Sequence, residues 1–147
     1  THELQLITQR PDMNFEEIRN KDLVANYYYP KNKQNLPFMI MLGGAEGGID
    51  GVDDYAKIIS SHGYAVLALG YFNMENLPKT LQRIPVEYFF NAIDRAKEKP
   101  FIDTARIGII GGSKGGEAAL LIASMRKDIK GVVAVVPSNV VWQGIPN

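Results

Sequence analysis

Residues 107–117 read Ile-Gly-Ile-Ile-Gly-Gly-Ser-Lys-Gly-Gly-Glu, and the rest of the chain is organised around this stretch. It opens with β-branched residues, passes through glycines and enters an alanine- and leucine-rich segment, residues 118–124. It contains the pattern G-x-S-x-G, with Ser113 at the centre. A serine on a sharp strand-to-helix turn has a strained backbone, and small residues two positions away let strand and helix approach closely. The turn would lift the Ser113 hydroxyl above a sheet, and the first N–H of the helix would face a developing oxyanion.

Glycine-rich turns of this kind also occur at helix caps and in loops that bind phosphate or dinucleotides. A glycine-rich turn whose serine only caps a helix remains an alternative. A Walker phosphate loop requires Gly-Lys-Ser/Thr, whereas residues 113–115 read Ser-Lys-Gly. A dinucleotide fingerprint requires glycines at i, i+2 and i+5, and neither residues 43–48 nor residues 108–116 supply them.

Length and composition indicate one globular domain without an obvious charged partner. The chain has 147 residues, of which 46% are hydrophobic and 22% charged. Sixteen basic and sixteen acidic residues balance, so we expect no binding to nucleic acid or to membranes. There is no cysteine and there are only two histidines, so we expect no metal site. We expect a cytoplasmic protein.

Strands and helices alternate along the chain. Uninterrupted apolar runs predict buried strands, and apolar residues at helical spacing predict helices between them. The predicted edge strands are residues 4–6 and 22–29, around a polar, turn-like segment 11–20. The predicted buried strands are residues 38–42, 64–69, 106–110 and 131–136, and the predicted helices are residues 53–62, 86–99 and 114–126. This alternation predicts a mostly parallel sheet with helices on both faces, an α/β fold.

In such a sheet, ligands bind beyond the carboxyl ends of the strands. The glycine-rich loop 43–48 follows one of these ends, as Ser113 follows another. The loop is therefore predicted to supply a second oxyanion N–H. Glycines that only provide positive φ angles would explain the same residues.

Several segments together resemble one family. Residues 43–48 (Gly-Gly-Ala-Glu-Gly-Gly), 63–69 (Gly-Tyr-Ala-Val-Leu-Ala-Leu), 71–80 (Tyr-Phe-Asn-Met-Glu-Asn-Leu-Pro-Lys-Thr) and 112–117 (Gly-Ser-Lys-Gly-Gly-Glu) carry the resemblance. They are similar to the C-terminal α/β-hydrolase domain of acyl-CoA thioesterases and bile acid-CoA:amino acid N-acyltransferases. The similarity runs from about residue 22 to the end.

The resemblance implies serine-dependent hydrolysis of acyl-CoA thioesters. Ser113 matches the nucleophile, the Lys114 N–H matches the oxyanion donor after it, and Ala45 is the best match for the second donor. CoA is then part of the substrate and no cofactor is required. Acyltransferase members typically carry cysteine at the nucleophile, so a serine favours hydrolysis. The candidate substrate contacts are Gly44, Glu46, Glu117 and Trp142. A structural carboxylate is the alternative for Glu117, and a side chain that only caps the core is the alternative for Trp142.

The family also implies an aspartate and a histidine after the serine. No histidine follows Ser113, and the later acidic residues are Glu117 and Asp128. His62 closes a predicted helix at the opposite edge of the sheet. We therefore expect residues 1–147 to be the N-terminal portion of a single α/β-hydrolase domain, truncated after about six strands. The segment that carries the triad aspartate and histidine would be absent, and the chain would form a homo-oligomer or pair with the missing C-terminal half.

Three other functions stay open on this reasoning. The nearest alternative is another serine hydrolase, of the dienelactone-hydrolase or prolyl-oligopeptidase kind. An acyl-CoA:amino acid N-acyltransferase would use the same substrate. A non-catalytic hydrolase-like binding module would explain the missing histidine.

Overall fold

The computed structural model describes residues 12–141 and residue 144, which contain a six-stranded sheet and three helices. Along the chain the elements are β1 (Met13–Asn20), β2 (Leu23–Pro30), β3 (Leu36–Leu42), α1 (Asp50–Ser61), β4 (Ala65–Gly70), α2 (Val86–Lys97), β5 (Ile102–Gly112), α3 (Lys114–Met125) and β6 (Ile129–Val135). The strand order is β1-β2-β4-β3-β5-β6. Strands β1 and β2 run antiparallel to their neighbours, and β3 to β6 run parallel to one another.

Helices cover both faces of this sheet, as the sequence predicts. On one face, α2 contributes Phe89 and Ile93 to a core, and α3 contributes Ile122. Ile40 of β3 and Leu67 of β4 belong to the same core and lie on that side of the sheet. On the other face α1 packs Val52 and Ala56 against Met41 and Val66. Because both faces are covered, β3 and β4 are apolar along their whole length.

The register aligns the ends of the parallel strands. Leu42 of β3 pairs with Leu69 of β4 and with Gly111 of β5. The loops that leave these strands therefore begin at one edge of the sheet, where ligands bind in parallel α/β sheets. We call this the carboxyl edge.

The turn-like prediction for residues 11–20 is wrong, because Met13–Asn20 form edge strand β1. The strand pairs with β2 along its full length through a tight turn, in which the Asn20 side chain accepts hydrogen bonds from the N–H groups of Asp22 and Leu23. Its charged residues concealed the pattern: Glu16, for example, faces Lys99 at 2.8 Å. The predicted strand at residues 4–6 lies outside the described residues.

Strand β6 is present but is not buried as predicted. Most of its side chains are exposed, because it is the last strand of the sheet in the part of the chain that the structure describes. Conversely, β2 was predicted at an edge of the sheet but lies between β1 and β4. Both of its faces are buried, because α1 packs on one and α2 on the other. A valine run identifies a strand but not its position in the sheet. None of the described helices is long and apolar enough to cross a membrane.

Candidate active site

Ser113 occupies the turn between β5 and α3 in a conformation that serine rarely adopts. Its φ is 50° and its ψ is −117°, and the residue is exposed. The two flanking glycines of the motif are needed for close approach. A methyl group on Gly111 would overlap the Gly115 carbonyl oxygen, and one on Gly115 would overlap the Gly43 carbonyl oxygen. Close packing of the backbone therefore requires the two glycines of the G-x-S-x-G pattern, as the sequence indicates.

The loop 43–48, which we call the oxyanion loop, lies directly beside Ser113. A methyl group on Gly44 would come within 3.3 Å of the Ser113 Cβ. The part of the chain that the structure describes leaves the Ala45 N–H without a hydrogen-bond partner. The Lys114 N–H begins α3, where N–H groups have no partner within the helix. The two predicted oxyanion donors are therefore brought to the same edge as the serine.

Tyr71 anchors the start of the oxyanion loop, a role that the sequence analysis missed. It directly follows β4, is 2% exposed, and donates a hydrogen bond of 2.6 Å from its hydroxyl to the Gly43 carbonyl oxygen. Burial, followed by the charges of Glu46 and Glu117, raises the pKa of Tyr71 above its ordinary value. The hydroxyl therefore remains a donor at neutral pH. Its position after a strand at the carboxyl edge was the only signal in the sequence.

Glu117 is buried beneath the turn and is paired with Lys114. Its backbone N–H donates to the Ser113 carbonyl oxygen, and its side chain lies 3.1 Å from the Lys114 Nζ. Both side chains line a cavity of about 180 Å³ on the α2 and α3 side, together with Tyr71 and Arg83. The ion pair with Lys114 fits a structural role for Glu117, and contact with substrate stays a prediction.

A second cavity, of about 520 Å³, opens at Ser113 on the α1 side. Gly44 and Glu46 line it at the oxyanion loop, and most of the remaining lining is apolar, including Met41 and Tyr55. The nucleophile candidate therefore faces an apolar space that is separate from the cavity at Glu117.

The described residues bring no base to Ser113. The hydroxyl of Ser113 has no hydrogen-bond partner within residues 12–141 and 144. His62 follows α1 at the opposite edge and bonds the Ile58 carbonyl oxygen at 2.8 Å. Asp128 precedes β6, where hydrogen bonds from Arg126, against the effect of burial, hold the pKa of its carboxyl well below the ordinary value. Trp142 and His2 lie outside the described residues.

Comparison with known proteins agrees with this geometry. Residues 84–145, which include the serine turn, match the family described as BAAT / Acyl-CoA thioester hydrolase C terminal. Human acyl-coenzyme A thioesterase 6 is 34% identical over 126 residues, which are 86% of this chain and 30% of that protein. Mouse acyl-coenzyme A amino acid N-acyltransferase 1 is 35% identical over 125 residues, 85% of this chain and 30% of that protein.

A solved structure shows the same fold at lower identity. The α/β hydrolase GrgF from Penicillium sp. sh18 superimposes with a TM-score of 0.68 at 23% identity, over 85% of this chain and 46% of that one. The chain spans about 30% of the length of the curated relatives it matches. The chain therefore has an α/β-hydrolase fold, and in sequence it matches the C-terminal domain of BAAT and acyl-CoA thioester hydrolases.

Proposed function

We propose that the protein carrying this chain hydrolyses acyl-CoA thioesters, with Ser113 as the nucleophile. The observation that carries the proposal is the backbone of Ser113, with φ 50° and ψ −117°, in a strand-to-helix turn beside Gly44. A non-glycine residue held in such a conformation is typical of sites where strain is part of a mechanism. The apolar lining of the adjoining cavity suits an acyl group.

The proposed reaction proceeds in two steps through an acyl-enzyme. The Ser113 Oγ attacks the thioester carbonyl carbon while its proton passes to a base, and the N–H groups of Lys114 and Ala45 stabilise the oxyanion. The carbon–sulfur bond then breaks, and CoA leaves as a thiol with the proton from the base. Water next attacks the acyl-serine, giving the carboxylic acid and the free hydroxyl. The base and the acid that orients it would come from outside the described residues.

The test combines covalent labelling with turnover in the whole protein. A fluorophosphonate probe is expected to form one adduct, on Ser113, and acyl-CoA to be hydrolysed with release of free thiol. Ser113→Ala should abolish labelling and lower kcat by about a thousandfold or more. Ser61→Ala, at a half-buried serine that ends α1 near the opposite edge of the sheet, is the matched control and should leave both unchanged. Labelling at another residue, or undiminished turnover by S113A, would exclude the mechanism.

Acyl transfer to an amino acid is the second candidate function. The similarity to mouse acyl-coenzyme A amino acid N-acyltransferase 1 favours it, while serine at the nucleophile position favours hydrolysis. The same assay with glycine added separates the two. A transferase would release thiol and form the N-acyl amino acid, whereas a hydrolase would release the fatty acid alone.

The remaining expectations stay predictions. These are a cytoplasmic location, no metal or cofactor apart from CoA in the substrate, and no nucleic-acid or membrane partner. We further propose that Gly44 lies against the bound substrate, because its backbone adjoins Ser113. Pairing of the exposed strand β6 with another chain or segment is the proposed interaction.

A further inference from the structure

We propose that Glu46 is a positioning residue whose carboxylate holds the backbone of the oxyanion loop so that the Ala45 N–H is presented to Ser113. The inference rests on the proposed function, because it assigns a task within that reaction. It also gives Glu46 a different role from the direct substrate contact that the sequence analysis considered.

The first support is that the Glu46 side chain turns back onto its own loop. Although Glu46 is exposed, its Oε1 accepts a hydrogen bond of 2.8 Å from the Gly44 N–H. A methyl group on Gly44 would lie 2.7 Å from its Oε2. The carboxylate is therefore packed against Gly44, and the peptide between these two residues contains Ala45.

The second support is the contact of the same carboxylate with helix α1. A methyl group on Gly51, in the first turn of α1, would lie 2.7 Å from Oε1 of Glu46. The N-cap residue Ile49 makes no side-chain hydrogen bond to the first turn. A carboxylate close to a helix N-terminus is stabilised by the helix dipole. The side chain thus links a loop that contains four glycines to a rigid helix.

The third support is the arrangement of the remaining anchors of the loop. Tyr71 bonds the Gly43 carbonyl oxygen, the Gly48 N–H donates to the Phe72 carbonyl oxygen at 3.0 Å, and Asn73 donates to the Glu46 carbonyl oxygen at 3.3 Å. These contacts fix both ends of the loop. At Gly44, the residue before the proposed donor, the carbonyl oxygen accepts a long hydrogen bond of 3.4 Å from the Gly47 N–H. Among the described residues, the Glu46 carboxylate is the one side chain that bonds Gly44.

A preorganised donor matters most in the transition state. Loss of its orientation should therefore lower kcat and leave KM nearly unchanged. Glutamine at position 46 keeps the acceptor oxygen and removes only the charge. A negative charge near a developing oxyanion opposes catalysis, so its removal is not expected to harm the reaction.

The test compares Glu46→Ala, Glu46→Gln and Gly51→Ala in the whole protein, with kcat, KM, Tm and amide hydrogen exchange of residues 43–48 as readouts. E46A is expected to lower kcat about 10- to 100-fold, with KM within about threefold of the wild type, and to accelerate exchange in the loop. E46Q should recover kcat to within about threefold of the wild type. Glu17→Ala, an exposed carboxylate on β1, is the control and should change none of these.

The Gly51→Ala variant distinguishes a loss of loop positioning from a loss of protein stability. Alanine is favoured over glycine within a helix, so Tm should be unchanged or higher. The new methyl group would displace the end of the flexible Glu46 side chain. G51A should therefore lower kcat and accelerate loop exchange in a protein that is no less stable.

Each alternative gives a different result. An E46Q as inactive as E46A would show that the charge itself acts, and a raised KM with normal kcat would show substrate contact; either overturns the inference. Loop exchange that is equal in the wild type and E46A also overturns it, even if the wild type does not cleave acyl-CoA. Absence of turnover in the wild type, by contrast, refutes the proposed function and leaves the exchange result to decide the role of Glu46.

Discussion

Ser113 keeps its unusual backbone because the surrounding residues leave it no other conformation. Its N–H donates to the Val135 carbonyl oxygen at 2.9 Å, and its own carbonyl oxygen accepts from the Glu117 N–H at 3.1 Å. The close approach of Gly111 to Gly115 fixes the path of the chain on both sides. A residue held this way stores roughly 1–3 kcal/mol of strain. The strained backbone directs the Ser113 hydroxyl out of the turn.

Replacing Ser113 by glycine should release this strain, whereas replacing it by alanine should not. Both variants lose the hydroxyl, and glycine tolerates a positive φ without steric cost. The relief exceeds the added entropy of an unfolded glycine, so S113G should be more stable than S113A by about 1 kcal/mol. Urea unfolding of the two variants measures the difference.

Ser124 provides the control with the opposite sign. It lies within α3, where glycine is less favourable than alanine by about 1 kcal/mol. S124G should therefore be less stable than S124A. If glycine destabilised the protein at both positions, the strain at Ser113 would not be supported.

At the scale of the elements, Asp53 joins helix α1 to strand β2. Its carboxylate accepts hydrogen bonds from Asn26 at 2.6 Å and Tyr28 at 2.8 Å, both on β2, and lies 2.7 Å from the Lys57 ammonium. Burial opposes its charge, but the hydrogen bonds from Asn26, Lys57 and Tyr28 outweigh burial and lower the pKa of Asp53. The ionised form thus stabilises the packing of α1, the helix that supports the oxyanion loop.

Asp53→Asn should therefore destabilise the protein in a pH-dependent way. Hydrogen bonds to a charged group contribute about 1.5–3 kcal/mol, so the loss at pH 7 should fall in this range. Because the folded pKa is below the unfolded value of about 3.9, the contribution is present above that value and is lost as the pH falls through the folded pKa. The stability gap between wild type and D53N should therefore narrow below about pH 4, as measured by urea unfolding at several pH values.

Asp54 is a suitable control for this measurement. Its side chain is 87% exposed and, among the residues that the structure describes, bonds only Lys57, so D54N should change stability by less than about 1 kcal/mol at every pH. A gap between wild type and D53N that stays constant down to pH 3 would contradict the role of the ionised carboxylate.

Local sequence patterns predicted those helices and strands whose burial can be inferred from their own residues alone. The helices were found from apolar spacing, although α1 begins at Asp50, three residues before the predicted start. Edge strand β1 was missed, because its charged residues pair with other elements and leave no clean alternation. Burial of β6 was predicted wrongly, because the covering of a strand depends on its neighbours and not on its own valines.

In the candidate site, too, some residues were predicted from local patterns, whereas long-range contacts were not. Ser113 and the helix start after it were predicted from short-range spacing, because a turn and a helix start are local structures. The family resemblance then matched Lys114 and Ala45 to the two oxyanion donors. The bond from Tyr71 to Gly43 joins residues 28 positions apart, and no local pattern encodes it. The contact of Glu46 with Gly51 depends on the path of the backbone between them. A sequence shows which groups are available, and the fold decides which of them meet.

At the scale of the whole molecule, the two outer strands of the described sheet differ in how well they are protected against pairing with another strand. Strand β1 carries Glu16, Glu17 and Arg19, charges that discourage pairing with another strand. Strand β6 exposes valines instead, with Val133 50% and Val135 52% exposed. Its outer edge has no partner strand within residues 12–141 and 144. An exposed apolar edge of this kind favours pairing with another strand.

The chain of residues 1–147, prepared by itself, is therefore expected to self-associate through β6. Sedimentation velocity over a range of concentrations should show species larger than the 16.3 kDa monomer. Val133→Lys places a charge on the exposed edge and should restore the monomer, because edge lysines block strand pairing. Leu120→Lys, at an exposed apolar position on α3, removes comparable apolar surface away from that edge and should leave association intact. A wild-type chain that stays monomeric at every concentration, or an L120K variant that dissociates as completely as V133K, would show that β6 is not the contact.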